Sequence, residues 1–187
     1  MRILRWFMGL FHQSVKNMRD KEGISSTFIA LLFLIPFMTF SMFLVESRFL
    51  YTIKNSADDA VVAAALAALK STNPVDIAYG EYVLDPNAAR DTFYEYLKKN
   101  MKLDENMNPL PGSVAAGPVH VDEFIVYNPG SYPTFCPRGT FIKNTSIHVV
   151  VNFKAKRPAL TGLFGKYVDI VIHRDVDNFY NLQLQEE

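Results

Sequence analysis

TFIALLFLIPFMTFSMFLV, residues 27–45, decides the fold: nineteen residues without one Asp, Glu, Lys or Arg. At ~1.5 Å of rise per residue, a helix of this length covers the ~30 Å hydrocarbon core of a bilayer. Glu46 and Arg48 mark its exit. Pro36 cannot donate to the Leu32 carbonyl and should bend the helix slightly, which membrane helices tolerate. A buried helix of a soluble protein rarely holds so long an uncharged run. A cleaved secretory signal has a shorter apolar core and a small-residue cleavage site soon after it, and neither fits. The expectation is a membrane anchor.

The flanks orient it. Residues 1–22 carry Arg2, Arg5, Lys16, Arg19 and Lys21 against Asp20 and Glu22. Taking these from the 19 basic and 19 acidic residues of the chain leaves 14 and 17, all beyond Val45. A basic excess beside a short N-terminal tail places that tail in the cytoplasm and everything after Val45 outside. Within the tail, Ile3, Leu4, Trp6, Phe7, Leu10, Phe11 and Val15 share one helical face, and Arg2, Arg5, His12, Gln13 and Lys16 the other. Such a basic amphipathic helix lies along the cytoplasmic leaflet or docks on a membrane partner.

Composition bounds the remainder. Of 187 residues, 49% are apolar and 20% charged, so general disorder is excluded. The absence of net charge argues against a nucleic-acid footprint. Cys136 is the only cysteine, so neither an internal disulfide nor a Cys-based zinc cage can form.

Beyond Glu46 the helical signal continues. Phe49, Ile53, Ala57, Ala60, Ala64 and Ala67 recur at steps of three and four, with Lys54, Asp58, Asp59 and Lys70 on the opposite side. Neither Gly nor Pro interrupts residues 46–73. One helix is therefore expected from about Ile24 to Lys70. Its stripe of small side chains packs against the protein's own C-terminal domain or against helices of neighbouring subunits.

After a break at Ser71-Thr72-Asn73-Pro74, Asp85-Pro86 supplies an N-cap and first-turn pair. Ala89, Phe93, Tyr96, Leu97 and Met101 form the apolar face of a second helix. Residues 104–118 read as a long loop, and residues 119–127 as a strand with a bulge at Asp122-Glu123. Ile147, Val149, Val151, Phe153 and Ala155 alternate with His148, Val150, Asn152, Lys154 and Lys156, an antiparallel strand with one buried face. Val168, Ile170 and Ile172 repeat the pattern against Asp169, Val171 and His173. Residues 158–166 connect these strands with Leu160, Leu163 and Phe164 in a short helical turn. Residues 128–139 hold three prolines and Cys136 and must be irregular. The thiol is expected to be a small buried apolar group rather than a cross-link between subunits. Asn144-Thr145-Ser146 fits a glycosylation acceptor, a pattern common by chance.

The fold class expected is thus α+β: a long N-terminal transmembrane-plus-stalk helix, then a small antiparallel sheet head with one packed helix. The divisions are a cytoplasmic tail (1–22), a transmembrane helix (23–46), an extracytoplasmic stalk (47–73) and an extracytoplasmic head (74–187).

Catalytic patterns are scarce. His12, His120, His148 and His173 lack HExxH spacing, and His148 is expected on the solvated face of its strand. His173-Arg174-Asp175 has the order of a kinase catalytic loop, but Tyr180 stands where the asparagine belongs and no Gly-rich loop precedes it. Gly162 and Gly165-Lys166 fail the phosphate-loop spacing, with Leu160 in the first glycine's place. The acid pairs Asp58-Asp59, Asp104-Glu105 and Asp122-Glu123 read as solvated or as modest cation sites. The expectation is a protein without catalytic residues, cofactor or metal.

Gly23, Pro36, Glu46, Arg48 and the run from Ser56-Ala57-Asp58-Asp59-Ala60 through Leu69 together resemble the TadE/TadG-like pseudopilins, minor subunits of tight-adherence (Flp) pili. Residues 157–174 are similar to the strand-turn-strand ending of larger members. The resemblance is firm over residues 20–70. It implies a pilin-like fold and a structural subunit of a pilus or type II/IV-like secretion machine. Its partners would be the lipid bilayer, other pilin or pseudopilin subunits and secretion-platform membrane proteins, without nucleic acid. It further implies processing between Gly23 and Ile24 and a helix-packing interface of Pro36, Phe49, Ile53, Ala57, Ala60, Ala64 and Ala67. One position departs from the pattern: the fifth residue after Gly23 is Phe28, where pilin-like chains carry glutamate. A subunit that keeps its tail stays anchored in the membrane or sits at a filament end. The alternative is a single-span sensory or ligand-binding ectodomain, which would need a separate effector.

Overall fold

The computed structural model describes residues 24–72 and 82–177. The amphipathic tail and Gly23 lie outside the described residues, as do Asn73, Pro74 and Tyr180. The chain divides into two compact units, residues 1–45 and 46–187. Helix α1 (Ile24–Ala68) runs through the boundary between them.

In the first unit, α1 is exposed along nearly its whole described surface, including Leu32, Phe33, Phe37 and Val45. The helix is long and apolar enough to cross a membrane. Pro36 lies inside it. Two hydroxyls within this run, those of Thr39 and Ser41, are absorbed by the helix itself. Thr39 Oγ1 donates to the Ile35 carbonyl at 2.9 Å and Ser41 Oγ to the Phe37 carbonyl at 2.8 Å. Neither hydroxyl then presents an unpaired donor to an apolar surrounding.

The second unit is a three-stranded antiparallel sheet with helices on one face. Its strands are β1 (His120–Tyr127), β4 (Ser146–Lys156) and β5 (Tyr167–Asp177), in the order β1-β4-β5. A two-stranded ribbon, β2 (Thr134–Phe135) with β3 (Phe141–Ile142), interrupts the connection from β1 to β4. Helix α2 (Pro86–Met101) starts where Asp85 Oδ1 accepts from the Asn87 amide at 2.9 Å. It ends at Lys102 in the left-handed conformation, φ 55°, with Lys98 and Lys99 in the last turn. Asn128 clamps the segment before α2 to the end of β1, exchanging two hydrogen bonds of 2.8 and 2.9 Å with the Leu84 backbone.

One buried cluster joins Ala57, Ala60, Val61, Ala64, Ala65 and Ala68 of α1 to Phe93 and Leu97 of α2 and to alternate residues of β4 and β5. The alanines let the α1 backbone approach the sheet closely, while Phe93 and Phe153 fill the volume between the layers. The bulge expected in β1 is present. Val121 pairs with Val151 and Glu123 with Val150, leaving Asp122 as the extra residue. A short helix α3 (Thr161–Phe164) forms the turn between β4 and β5, with Leu163 and Phe164 exposed.

One expectation is corrected. From Ser146 to Val151, β4 is buried on both faces, His148 and Val150 included. Residues 128–145 fold back over the face that the alternation assigns to solvent. There Cys136 and Ile142 bury against Tyr127, with Ile125 and Tyr132 beside them. Beyond Val151 the alternation is regular, and Lys154 and Lys156 are exposed.

Candidate functional site

The expected helix-packing residues separate into two groups. Ala57, Ala60 and Ala64 are buried in the second unit's own core, with Ile53 packed at its edge and Ala67 half-buried. Phe49 is 45% exposed, and Pro36 is exposed in the first unit. The large apolar side chains that α1 leaves to solvent beyond Val45 are Phe49, Tyr51 and Leu66. Ile24 begins α1.

Two ion pairs tie α1 to the sheet within the second unit. Glu46, the first charged residue after the apolar run, is 2% exposed and accepts from Arg157 Nη1 at 2.6 Å. Glu46 Oε2 and Arg157 Nε have no protein partner among the described residues. Arg157 also lies 5.5 Å from the Phe164 ring centroid. Farther along, Arg174 grips both carboxylate oxygens of Asp58, its Nε lying 2.6 Å from Oδ1. That bidentate bond raises the Arg174 guanidinium above its ordinary range. Asp58 is therefore an ion-pair partner rather than a solvated acid.

On the opposite face of the sheet, three separate segments bring polar groups together. Antiparallel pairing sets His148 opposite Asp175 and Val150 opposite His173. Residues two apart on a strand share a face, so His173 and Asp175 project on the same side as His148. Arg174, between them, points the other way to Asp58. The folded-back segment then lays Cys136 over them. Its Sγ lies 3.4 Å from Asp175 Oδ2 and 3.9 Å from His173 Nε2.

His148 is fully buried, with a carboxylate at each ring nitrogen: Asp175 Oδ1 2.7 Å from Nδ1 and Glu123 Oε2 3.0 Å from Nε2. Its expected place in solvent is overturned, because residues 128–145 cover it. The bulge at Asp122 sets the side on which Glu123 emerges, facing His148, while Asp122 stays outside and accepts from Asn152 Nδ2 at 3.0 Å. Arg138 holds the other Glu123 oxygen at 3.3 Å.

The charges respond accordingly. The hydrogen bond from His148 is the main force lowering the Glu123 carboxyl. Burial pushes Asp175 up, but hydrogen bonds from His148, Thr140 and Cys136 more than reverse it, so it too lies below its usual range. Burial raises the Tyr127 phenol, and the carboxylates of Asp175 and Glu123 add to the rise.

One donor atom from each of Cys136, His148, His173 and Asp175 lies within 4.8 Å of the others, near enough for small inward shifts to bring all four around one ion. As a nucleophile the thiol is poorly placed. It is buried, and the same His173 nitrogen faces both Sγ and Asp175, so no second nitrogen is left oriented by a third group. Convergence of soft and borderline donors fits chelation better than acyl transfer.

No protein-family model, curated protein or solved structure matches this chain.

The likeness to TadE/TadG-like pseudopilins accordingly rests on the sequence features quoted above. The polar cluster escapes sequence reading because its members stand twelve, twenty-five and two residues apart, in no local motif. The available signal was His173-x-Asp175 on one strand face beside His148 on its neighbour.

Proposed function

We propose that this chain is a membrane-anchored, pilin-like interaction subunit of the TadE/TadG kind. Its head lies outside the cytoplasmic membrane, and it serves a pilus or a type II/IV-like secretion machine without catalysing a reaction. One observation carries this reading: the exposed, uncharged first half of α1 continues without a break into a helix whose second half is packed in a folded unit. Lipid satisfies the first half at no cost, and the basic tail sets the orientation.

Partners meet the helix on the flank that its own sheet leaves open. Cysteines placed at Ala60 or Ala64 would report on the internal core, because those positions are buried. Phe49→Cys and Leu66→Cys, introduced into the full chain in its native membrane, are the informative variants. Oxidation is expected to trap a second membrane chain at one or both positions, while a terminal tag on the head remains open to protease added to whole cells. A chain that stays monomeric at both positions, or a tag protected in whole cells, defeats the proposal.

A further inference from the structure

We propose that Cys136, His148, His173 and Asp175 bind one zinc-class divalent transition-metal ion, which fastens residues 128–145 onto the β4–β5 face. The inference is independent of the pilin-like reading.

Distances come first. A tetrahedral zinc with ~2.0–2.1 Å bonds to nitrogen and oxygen and ~2.3 Å to sulfur spaces its ligand atoms about 3.3–3.7 Å apart. Cys136 Sγ stands 3.4 Å from Asp175 Oδ2 and 3.9 Å from His173 Nε2, already close to that spacing. The two imidazole–carboxylate contacts, 2.7 and 2.9 Å, are hydrogen bonds that an ion would open by about half an ångström.

The surroundings of His148 are those of a metal ligand. Its Nε2 faces Glu123, which Arg138 anchors in turn, so the ring is fixed with Nδ1 turned to Asp175, on the side of the cluster. A carboxylate behind a ligating histidine sets its tautomer and raises its basicity as a ligand. Without an ion, Nδ1 must carry a proton to satisfy Asp175. An ion takes that proton's place, and the Nδ1 and thiol protons both leave to solvent as the metal–nitrogen and metal–sulfur bonds form. His173, with 29% of its side chain exposed, leaves the route of entry.

The donor set is one thiolate, two imidazoles and one carboxylate, all supplied by the chain. Four protein ligands describe a closed structural site rather than a catalytic one. The ion's work is mechanical: Cys136 belongs to a stretch of short strands and turns, and the other three belong to the sheet.

The test uses the full chain in detergent, stripped with chelator and titrated with Co2+, then with Zn2+. One cobalt per chain is expected, with visible bands of four-coordinate intensity and a thiolate-to-metal band in the near ultraviolet. Zinc should displace both. Cys136→Ser is expected to lose the thiolate band, and Glu123→Gln to weaken zinc binding about 10–100-fold. The exposed His120→Gln should leave binding as it is. The wild-type spectrum decides even if a variant fails to fold. A weak six-coordinate cobalt spectrum without a thiolate band, or zinc binding equal in wild type and Cys136→Ser, overturns the site and leaves a proton-bridged cluster.

Discussion

Asp104 shows how much one side chain organises. Its Oδ1 accepts from the Asn106 amide at 2.9 Å and the Asn108 amide at 2.8 Å, and Oδ2 accepts from Asn108 Nδ2 at 3.2 Å. These bonds close the turn after α2, where Met107 adopts a φ of 63°. The Asn108 amide is the largest cause of a carboxyl held below its ordinary value of 3.8, and slight desolvation opposes it. A carboxyl lowered by folding contributes stability above its unfolded value and loses it as pH falls through the folded one. Asp104→Asn should therefore lower the urea midpoint of the detergent-solubilised chain at about pH 6, and the gap to wild type should close in strong acid. A gap that persists in acid would mean the charge is not what matters.

At the level of elements, the helices and the alternating strands are legible because each is a local pattern. Ala57, Ala60 and Ala64 keep helical step, β4 and β5 keep period two, and Asp122-Glu123 breaks that period where the bulge forms. The candidate site is not legible in the same way. His148 looks solvated by its neighbours along the strand, and its burial depends on residues 128–145 returning over the sheet. That return is long-range and follows no repeat. The alanine stripe left two partners open, and the structure fills it with the unit's own core. Ala64→Leu should consequently cost about 1–3 kcal/mol through overpacking. Ala63→Leu, on the exposed side, should stay within about 0.5 kcal/mol. Equal effects in denaturation would show that the stripe is not packed internally.

For the whole molecule, the proposed membrane anchor carries a test of its own. Lysines at Leu34 and Phe37, both exposed in the first unit, would each cost about 2.5–3.5 kcal/mol near a bilayer centre. The Leu34→Lys, Phe37→Lys chain should leave the carbonate-resistant membrane fraction while keeping the circular-dichroism signature of its sheet. Retention in that fraction would refute lipid contact at these positions. The sheet itself has a middle strand and two margins, and among the described residues no strand pairs with the outer side of β1 or β5. Along eleven residues of β5, amide hydrogens and carbonyls on that rim fall to water or to another backbone. Asp169 and Asp177 stand along the same strand, so two identical rims brought side by side would meet acid against acid. Self-zippering along that margin is thereby discouraged.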